Sequence, residues 1–367
     1  RIVGQASRCG KFIGSMVAST AATLVTRLHQ KGATMTTREL LQMRNTGHQG
    51  INALFSKAHS ADWDIDHDVD WSQLVAPDEP IVDHAWNAFG QTPTFCALPE
   101  PVKHRVTRQG LGRMLNVLQV GESVAQDVCA TLSLVLREED YRNHAVAQAM
   151  DEARHHLAYR RFIEKMNEPI EDIDMGIEMT FDGLLAAKDP LELVATEQFF
   201  LESFAMTIFE NLVRYARNPL LKQMVTLITR DESRHMGFGV LYLAEWMKQR
   251  NLDEQIAFAR RWLGQILGAL SDRPGPIMLN RLTTRLRAAG VADVDQLAPR
   301  LLREQQAVNA ADEAEVLAGR RLPHLLKSAR RVGLLKPEIL EALGIQQHPL
   351  VRVALQSSIA DDASSLN

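Results

Sequence analysis

The chain has 367 residues, 46% of them hydrophobic and 23% charged, which are ordinary values for a globular protein that buries a sizeable core. The formal net charge of −4 gives no electrostatic reason to expect a nucleic-acid partner. Three cysteines, Cys9, Cys96 and Cys129, are too scattered for a disulfide framework, a C-x-x-C motif or an iron–sulfur cluster.

Residues 1–105 are expected to pack on the rest of the chain as an N-terminal helix followed by a loop-rich extension. The apolar run at 12–25 is interrupted by glycine, serine and threonine, and it is too short and too polar to span a bilayer. Residues 57–105 contain an acidic stretch at 62–71 and five prolines, which disfavour long helices. We expect a soluble, cytoplasmic protein without a membrane segment.

A helical pattern dominates from residue 106 to about residue 250, where apolar residues recur at three- and four-residue steps. The breaks at Asn167, Asp189-Pro190 and Asn218-Pro219 divide it into helices at 106–136, 138–166, 190–217 and 219–248. Four helices of this length suit a four-helix bundle, so residues 106–250 are the predicted core of an all-α protein. Residues 251–356 predict additional C-terminal helices at 253–271, 276–289 and 295–345, and residues 357–367 predict a disordered tail.

Two of the long segments carry the same motif, Asp-Glu-x-Arg-His, at 151–155 and 231–235. Glu152 is followed three residues later by His155, and Glu232 by His235. On a helix, positions i and i+3 share a face, so a carboxylate and an imidazole can reach one metal ion. Both glutamates lie on otherwise apolar faces, where an uncompensated carboxylate would be costly. Each copy therefore predicts metal ligands.

A bundle that holds two metal ions needs a further carboxylate from each of the remaining two helices. Glu122 stands alone on an apolar helix face and is the candidate on the first helix. On the third helix both Glu197 and Glu202 qualify. We favour Glu197, which has the more apolar neighbours, and expect Glu202 to be an alternate ligand or to lie beside the ligands. A local π-bulge would bring this i, i+5 pair onto one side of the helix.

With these residues in place, residues 106–248 resemble the ferritin-like di-iron carboxylate proteins. This superfamily includes ribonucleotide reductase small subunits, bacterial multicomponent monooxygenase hydroxylases and ligand-binding oxidases. The doubled motif and the 30-residue step from Glu122 to Glu152 are most similar to the hydroxylases, whereas the 35-residue step from Glu197 to Glu232 is closer to the oxidases. The resemblance implies a ferritin-like four-helix bundle with a cofactor of two Fe ions, or of Mn and Fe.

The same resemblance implies roles for residues next to the ligands. Asp151 would orient His235, and Asp231 would orient His155, because a carboxylate that bonds the distal ring nitrogen fixes the imidazole. Tyr159 follows His155 by one turn, where reductase small subunits keep a radical tyrosine, although a buried aromatic residue is the simpler interpretation.

Four other side chains near these motifs have a structural interpretation. Phe200 and Phe204 could line a substrate cavity, although an aromatic stripe at helical spacing more often belongs to the core. Arg154 and Arg234 alternate in sign with their acidic neighbours, and we expect them to form salt bridges on the helix surface.

These residues predict a di-iron oxygenase or oxidase that uses O₂ to hydroxylate, desaturate or N-oxygenate a small organic substrate. The sequence has neither a cysteine cluster nor a Gly-rich dinucleotide motif, so electrons are expected from an external ferredoxin or flavin reductase. We also expect a homodimer. The alternatives are a radical-storing Mn/Fe or di-iron oxidase similar to a reductase small subunit, a ferroxidase or iron-storage protein, and a structural helical protein without metal.

Overall fold

The described part of the chain is helical. The computed structural model describes residues 37–167, 172–271, 276–311, 323–348, 351–352 and 355, and within them the only β-structure is an isolated bridge between Val82 and Ala216. The predicted helix at 12–25 and the predicted tail at 357–367 lie outside these residues. No described helix is both long and apolar enough to cross a membrane. The all-α prediction is confirmed.

The helices are numbered in chain order. They are α1 (Thr37–Gln42), α2 (Gln49–Ser60), α3 (Pro93–Cys96), α4 (Glu100–Val135), α5 (Glu139–Met166), α6 (Met175–Ala186), α7 (Pro190–Leu193), α8 (Glu202–Tyr215), α9 (Pro219–Lys248), α10 (Leu252–Ser271), α11 (Pro276–Ala288), α12 (Val294–Ala311), α13 (Pro323–Val332) and α14 (Pro337–Leu343). A 3₁₀-helix covers His84–Trp86, and a π-helix, Val194–Leu201, joins α7 to α8 without a break.

The predicted four-helix bundle is present. Helix α4 packs along α5, and the π-helix and α8 pack along α9. The predicted ends agree with the observed ones within a few residues, except that α4 begins at Glu100 rather than at 106. The pattern predicted as one segment at 295–345 forms α12, α13 and α14 in its described parts. The division into an extension, a core and C-terminal helices stays a prediction.

Polar residues and prolines set the ends of the bundle helices. Asn218 accepts a hydrogen bond from the backbone N–H of Leu221, and Pro219 occupies the first turn of α9. Asp189 accepts one from the N–H of Leu191 at the start of α7 in the same way. Asn167 ends α5 in the left-handed conformation, with φ of 50°. These residues satisfy backbone groups that helix ends leave unpaired, so the local sequence determines where these helices begin and end.

Two hydrophobic clusters fill the bundle, and a polar layer separates them. Along α4, Leu111 and Leu115 belong to one cluster, and Val128 and Leu132 belong to the other. Glu122 lies between the two pairs and is buried. The same division occurs on α5 and α9, where the Asp-Glu-x-Arg-His motifs separate the clusters. The metal-ligand candidates therefore share one layer of an otherwise apolar interior.

The π-helix lies against α9 at Gly239. A Cβ atom at this position would stand 2.4 Å from the carbonyl oxygen of Gln198 and 2.6 Å from its carbonyl carbon. Both are backbone atoms, so the contact cannot be relieved by rotation of a side chain. Glycine at 239 therefore permits the close approach that keeps the π-helix in the polar layer.

We predict that Gly239→Ala lowers the free energy of unfolding by about 1–3 kcal/mol, the usual cost of overpacking. Gly237→Ala on the same helix is the matched control, because its Cβ would meet only Leu54 side-chain atoms at 3.6 Å. Urea unfolding followed by far-UV circular dichroism measures both variants. An unchanged urea midpoint for Gly239→Ala would contradict the proposed close approach.

Candidate metal centre

The two Asp-Glu-x-Arg-His motifs face each other across the bundle. The Nδ1 atom of His155 lies 3.2 Å from Oε2 of Glu152 and 3.0 Å from Oε1 of Glu232. The Nδ1 atom of His235 lies 2.8 Å from Oε2 of Glu232 and 3.0 Å from Oε1 of Glu152. Each imidazole therefore stands close to both glutamates, and the two motifs are related by an approximate two-fold arrangement.

The side chains form two groups of possible metal ligands, and within each group the ligand atoms lie within 4.8 Å of one another. Their members are Glu122, Glu152, His155 and Glu232 in the first, and Glu152, Glu202, Glu232 and His235 in the second. All six residues are buried. Because Glu152 and Glu232 belong to both groups, two cations bound here would share a pair of carboxylates.

The π-helix decides how the third helix meets the polar layer. Glu202 follows the π-helix directly and lies in the second group, with Oε1 3.7 Å from Nδ1 of His235. Glu197 lies within the π-helix and is buried, but it belongs to neither group. The structure has a π-helix at this pair, the distortion that would bring an i, i+5 pair onto one side of the helix. It brings Glu202, rather than the favoured Glu197, to the candidate ligands.

Gln148, which the sequence analysis missed, contacts two members of the second group. Its Nε2 donates to Oε1 of Glu152 at 2.7 Å and to Oε1 of Glu202 at 3.1 Å. It precedes Glu152 by one turn of α5 and is buried. A glutamine one turn before a ligand candidate, on the same helix face, is the signal that could have identified it.

Crowded charges shift the pKa of every glutamate in the layer. Burial, followed by the charge of Glu232, raises the pKa of Glu122 and of Glu202 well above its usual range. Burial and the charge of Glu152 raise the pKa of Glu197 to about 8. Burial alone would also raise the pKa of Glu152, but the charges of His235 and His155 outweigh it and hold that pKa well below its usual range.

The histidines show the reverse balance. Burial alone would lower the pKa of His155 and His235, but the carboxylates of Glu232 and Glu152 raise both pKa values well above the usual range. A buried layer of four carboxylates and two imidazoles fits two divalent cations, because cations replace the protons and satisfy the oxygen atoms.

Two aspartates bond the distal nitrogens of the histidines, as the sequence analysis expected. Nε2 of His155 lies 3.1 Å from Oδ2 of Asp231, and Nε2 of His235 lies 3.1 Å from Oδ2 of Asp151. Each pair joins one motif to the other. Nδ1 of each ring is thereby directed at the glutamates.

Arg234 is buried, which corrects the expectation of a helix-surface salt bridge. Its guanidinium donates to Oδ1 of Asp231 at 2.8 Å and to Oδ2 of Asp151 at 2.9 Å. Arg154 bonds Asp151 as well and extends towards the surface. Two buried aspartates that face each other need a positive charge between them. The residue spacing along one helix does not reveal this, because the second aspartate lies on the other helix.

Trp63 also contacts this network, and the sequence analysis did not identify it. Its Nε1 donates to Oδ2 of Asp231 at 2.6 Å, and its ring lies parallel to that of His155 with centroids 6.3 Å apart. Trp63 lies 168 residues before Asp231 in the sequence. No local pattern marks a contact between residues this far apart.

The remaining candidates lie around the donor groups. Tyr159 is fully buried in a hydrophobic cluster, and its hydroxyl has no hydrogen-bond partner. Phe200 is half-buried against the other cluster, and Phe204 is 42% exposed. The radical role of Tyr159 and the cavity role of the two phenylalanines stay predictions.

Comparison with known proteins places residues 44–273 in one family model, described as P-aminobenzoate N-oxygenase AurF. A comparison with curated proteins found no match. Similar solved structures include two variants of an R2-like ligand-binding oxidase, with anaerobically and aerobically reconstituted Mn/Fe cofactor. Both are 15% identical to this chain, over 71% of it and 93% of theirs, with TM-scores of 0.42 and 0.41. With TM-scores below 0.5, the fold assignment rests on the helices themselves.

We predict that Arg234→Met lowers the free energy of unfolding of the metal-free protein by about 3–5 kcal/mol, because it removes the more buried of the two guanidinium groups that contact Asp151 and Asp231. Arg160→Met on α5 is the control. Arg160 forms an exposed i, i+4 pair with Glu164, and such pairs contribute about 0.5 kcal/mol or less. Equal urea midpoints for the two variants would mean that Arg234 does not compensate the aspartates.

Proposed function

Because this chain belongs to the P-aminobenzoate N-oxygenase AurF family, we propose that it uses O₂ to N-oxygenate a small aromatic amine. The family model covers more than half of the chain, and its members are di-iron oxygenases. The chain is therefore a non-haem di-iron oxidoreductase. Its ligand set, its substrate class and its source of electrons are the parts that we propose.

One observation carries the ligand assignment, namely the two groups of ligand atoms that share Glu152 and Glu232. We assign the iron ligands to Glu122, Glu152, His155, Glu202, Glu232 and His235, with Glu202 in the position for which the sequence favoured Glu197. Carboxylates and imidazoles suit iron. Glu152 and Glu232 would help to hold both ions, and Glu122 and Glu202 would each help to hold one of them.

When bound, the two irons supply the O₂-activating chemistry, and the chain controls its surroundings. Asp231 and Asp151 hold the two imidazoles in one orientation through their Nε2 atoms. The hydrophobic clusters on both sides of the layer exclude water from an oxidising site. Gln148 holds the carboxylates of Glu152 and Glu202 together by donating to both.

The reaction requires electrons and protons from outside the site. N-oxygenation of an amine follows R-NH₂ + O₂ + 2e⁻ + 2H⁺ → R-NHOH + H₂O, in which one oxygen atom enters the product and the other becomes water. We propose an external ferredoxin or flavin reductase as the electron donor. A homodimer remains our expectation for the assembly.

The family description is the observation that favours N-oxygenation over hydroxylation or desaturation, because it names an N-oxygenase of p-aminobenzoate. For this chain we propose aromatic amines as a class and take p-aminobenzoate as the first probe. Conversion of the probe in the presence of ¹⁸O₂, followed by mass spectrometry, tests both the substrate class and the origin of the oxygen atom.

We predict that the Fe(II)-loaded, chemically reduced protein incorporates one ¹⁸O atom into an arylamine probe. Glu232→Ala is expected to abolish the reaction, because Glu232 belongs to both donor groups. Its far-UV circular dichroism should stay helical. Normal O₂ consumption by Glu232→Ala would refute the ligand assignment, and ring hydroxylation without N-oxygenation would refute the substrate proposal.

The third-helix ligand is tested separately. We predict that Glu202→Ala weakens the binding of one of two Fe(II) ions under anaerobic conditions, whereas Glu197→Ala still binds two. The pair is matched because both residues are buried glutamates on one continuous helix. Anaerobic titration with metal counting gives the stoichiometry. The opposite result would restore Glu197 as the ligand.

A further inference from the structure

A row of buried polar side chains on α5 leads away from the candidate metal centre. Asp140, His144 and Gln148 precede Glu152 by twelve, eight and four residues, so they lie on one helix face at steps of about one turn. Their exposed fractions are 2%, 2% and 1%. This half of the bundle is otherwise filled by a hydrophobic cluster that includes Tyr141.

The row joins the ligand candidates to the protein surface. At its inner end Gln148 donates to the carboxylates of Glu152 and Glu202. At its outer end Asp140 accepts hydrogen bonds from the backbone N–H and the hydroxyl of Thr46. Thr46 is exposed and lines a surface pocket of about 380 Å³. Every step between solvent and the polar layer therefore carries a polar group.

Two atoms in the middle of the row have no partner. Nδ1 of His144 and Oε1 of Gln148 are both buried and unbonded, although the ring of His144 stacks on Phe238 with centroids 4.3 Å apart. Burial lowers the pKa of His144 to about 3, so the ring is neutral, with one nitrogen donating and the other accepting. Buried polar atoms are normally satisfied, often by internal water.

The second motif shows that the fold does not require this polarity. On α9 the positions twelve, eight and four residues before Glu232 are Leu220, Met224 and Ile228, and all three are fully buried. The two helices carry the same five-residue motif in the same layer, yet one approach to it is polar and the other apolar. Polar side chains inside a hydrophobic cluster carry a desolvation cost, so stability alone does not account for the row.

We propose that Thr46, Asp140, His144 and Gln148 form a proton-conducting row that connects the surface to the metal centre, with water bridging the unpartnered atoms of His144 and Gln148. The inference rests on the proposed function, because that reaction consumes two protons per turnover in an interior that excludes water. The α5 face is the continuous polar approach that supplies them.

The route is a sequence of proton transfers without a change in oxidation state. Asp140 receives a proton at the Thr46 end and passes it inward. The imidazole of His144 accepts a proton at one ring nitrogen and releases another from the opposite nitrogen. Water held by Oε1 of Gln148 then delivers the proton to the metal centre, where the proposed reaction consumes it. Gln148 is a positioning residue in this route, since its amide holds the water and the carboxylates without carrying charge.

His144→Met tests the row, because it installs the residue that α9 has at the equivalent position. The Fe(II)-loaded protein is mixed with O₂ in H₂O and in D₂O, and the optical absorption that follows is recorded. We expect the decay of this absorption, which requires protons, to slow by roughly 10²-fold in the variant. This factor is the lower end of the range for general acid–base catalysis. We also expect the solvent isotope effect on the decay to increase. His156→Met is the matched control, because His156 lies on α5 outside the row and bonds the carbonyl of Gln119.

A second variant and a structural measurement distinguish a loss of proton transfer from a change in side-chain packing. Asp140→Asn keeps an acceptor for Thr46 but cannot carry the proton, and it should slow the same step with two Fe(II) still bound. A crystal structure of the metal-free protein should show water bonded to Nδ1 of His144 and Oε1 of Gln148. Wild-type decay in His144→Met and Asp140→Asn, or a dry gap between these atoms, would overturn the row. A wild-type protein that binds iron but does not react with O₂ would overturn the proposed function instead.

Discussion

The structure depends on the concentration of negative charge in one buried layer. Four glutamates converge there from α4, α5, α8 and α9, and a dry bundle cannot hold them all ionised without compensation. Protons and two histidines balance the charge in the metal-free chain, as the raised pKa values of Glu122 and Glu202 indicate. We propose that two iron ions balance it in the functional protein. The long helices serve to bring these carboxylates to one level.

Compensation continues outside the layer. The distal nitrogens of His155 and His235 bond Asp231 and Asp151, and this adds two further buried carboxylates. Arg234 lies between the aspartates and bonds both. Charge therefore alternates outward from glutamate to histidine to aspartate to arginine. Each element is tolerated in the apolar interior because its neighbour carries the opposite charge.

Much of this arrangement could be predicted from local sequence. The Glu-x-x-His spacing placed Glu152 and Glu232 on core-facing helix faces, and the Asn218-Pro219 break gave the start of α9. The early start of α4 is not evident from the sequence because prolines at 99 and 101 indicate a loop as readily as a first helical turn. Apolar residues that recur with a period of 3.6 identify the helices well, because this pattern lies within a single segment of the sequence and needs no knowledge of the other helices.

The rest depends on geometry that no single segment encodes. The choice between Glu197 and Glu202 turns on an eight-residue π-helix, which rotates everything after it relative to an α-helical count. The apolar neighbours of Glu197 were read correctly, since it is buried, but burial does not specify ligation. The role of Arg234 depends on an aspartate from the other motif, and that of Trp63 on a contact across 168 residues. Such residues become recognisable only when the helices are packed.

The near two-fold symmetry of the motifs makes their differences informative. Symmetric chemistry at the two histidines needs symmetric partners, and Asp151 and Asp231 supply them. Proton supply has no such requirement, because one route serves both ions when Glu152 belongs to both donor groups. A second polar row would bring further desolvation cost and a second path for water into an oxidising site. A polar approach along α5 and an apolar one along α9 therefore reconcile the need for protons with the need to keep the interior dry.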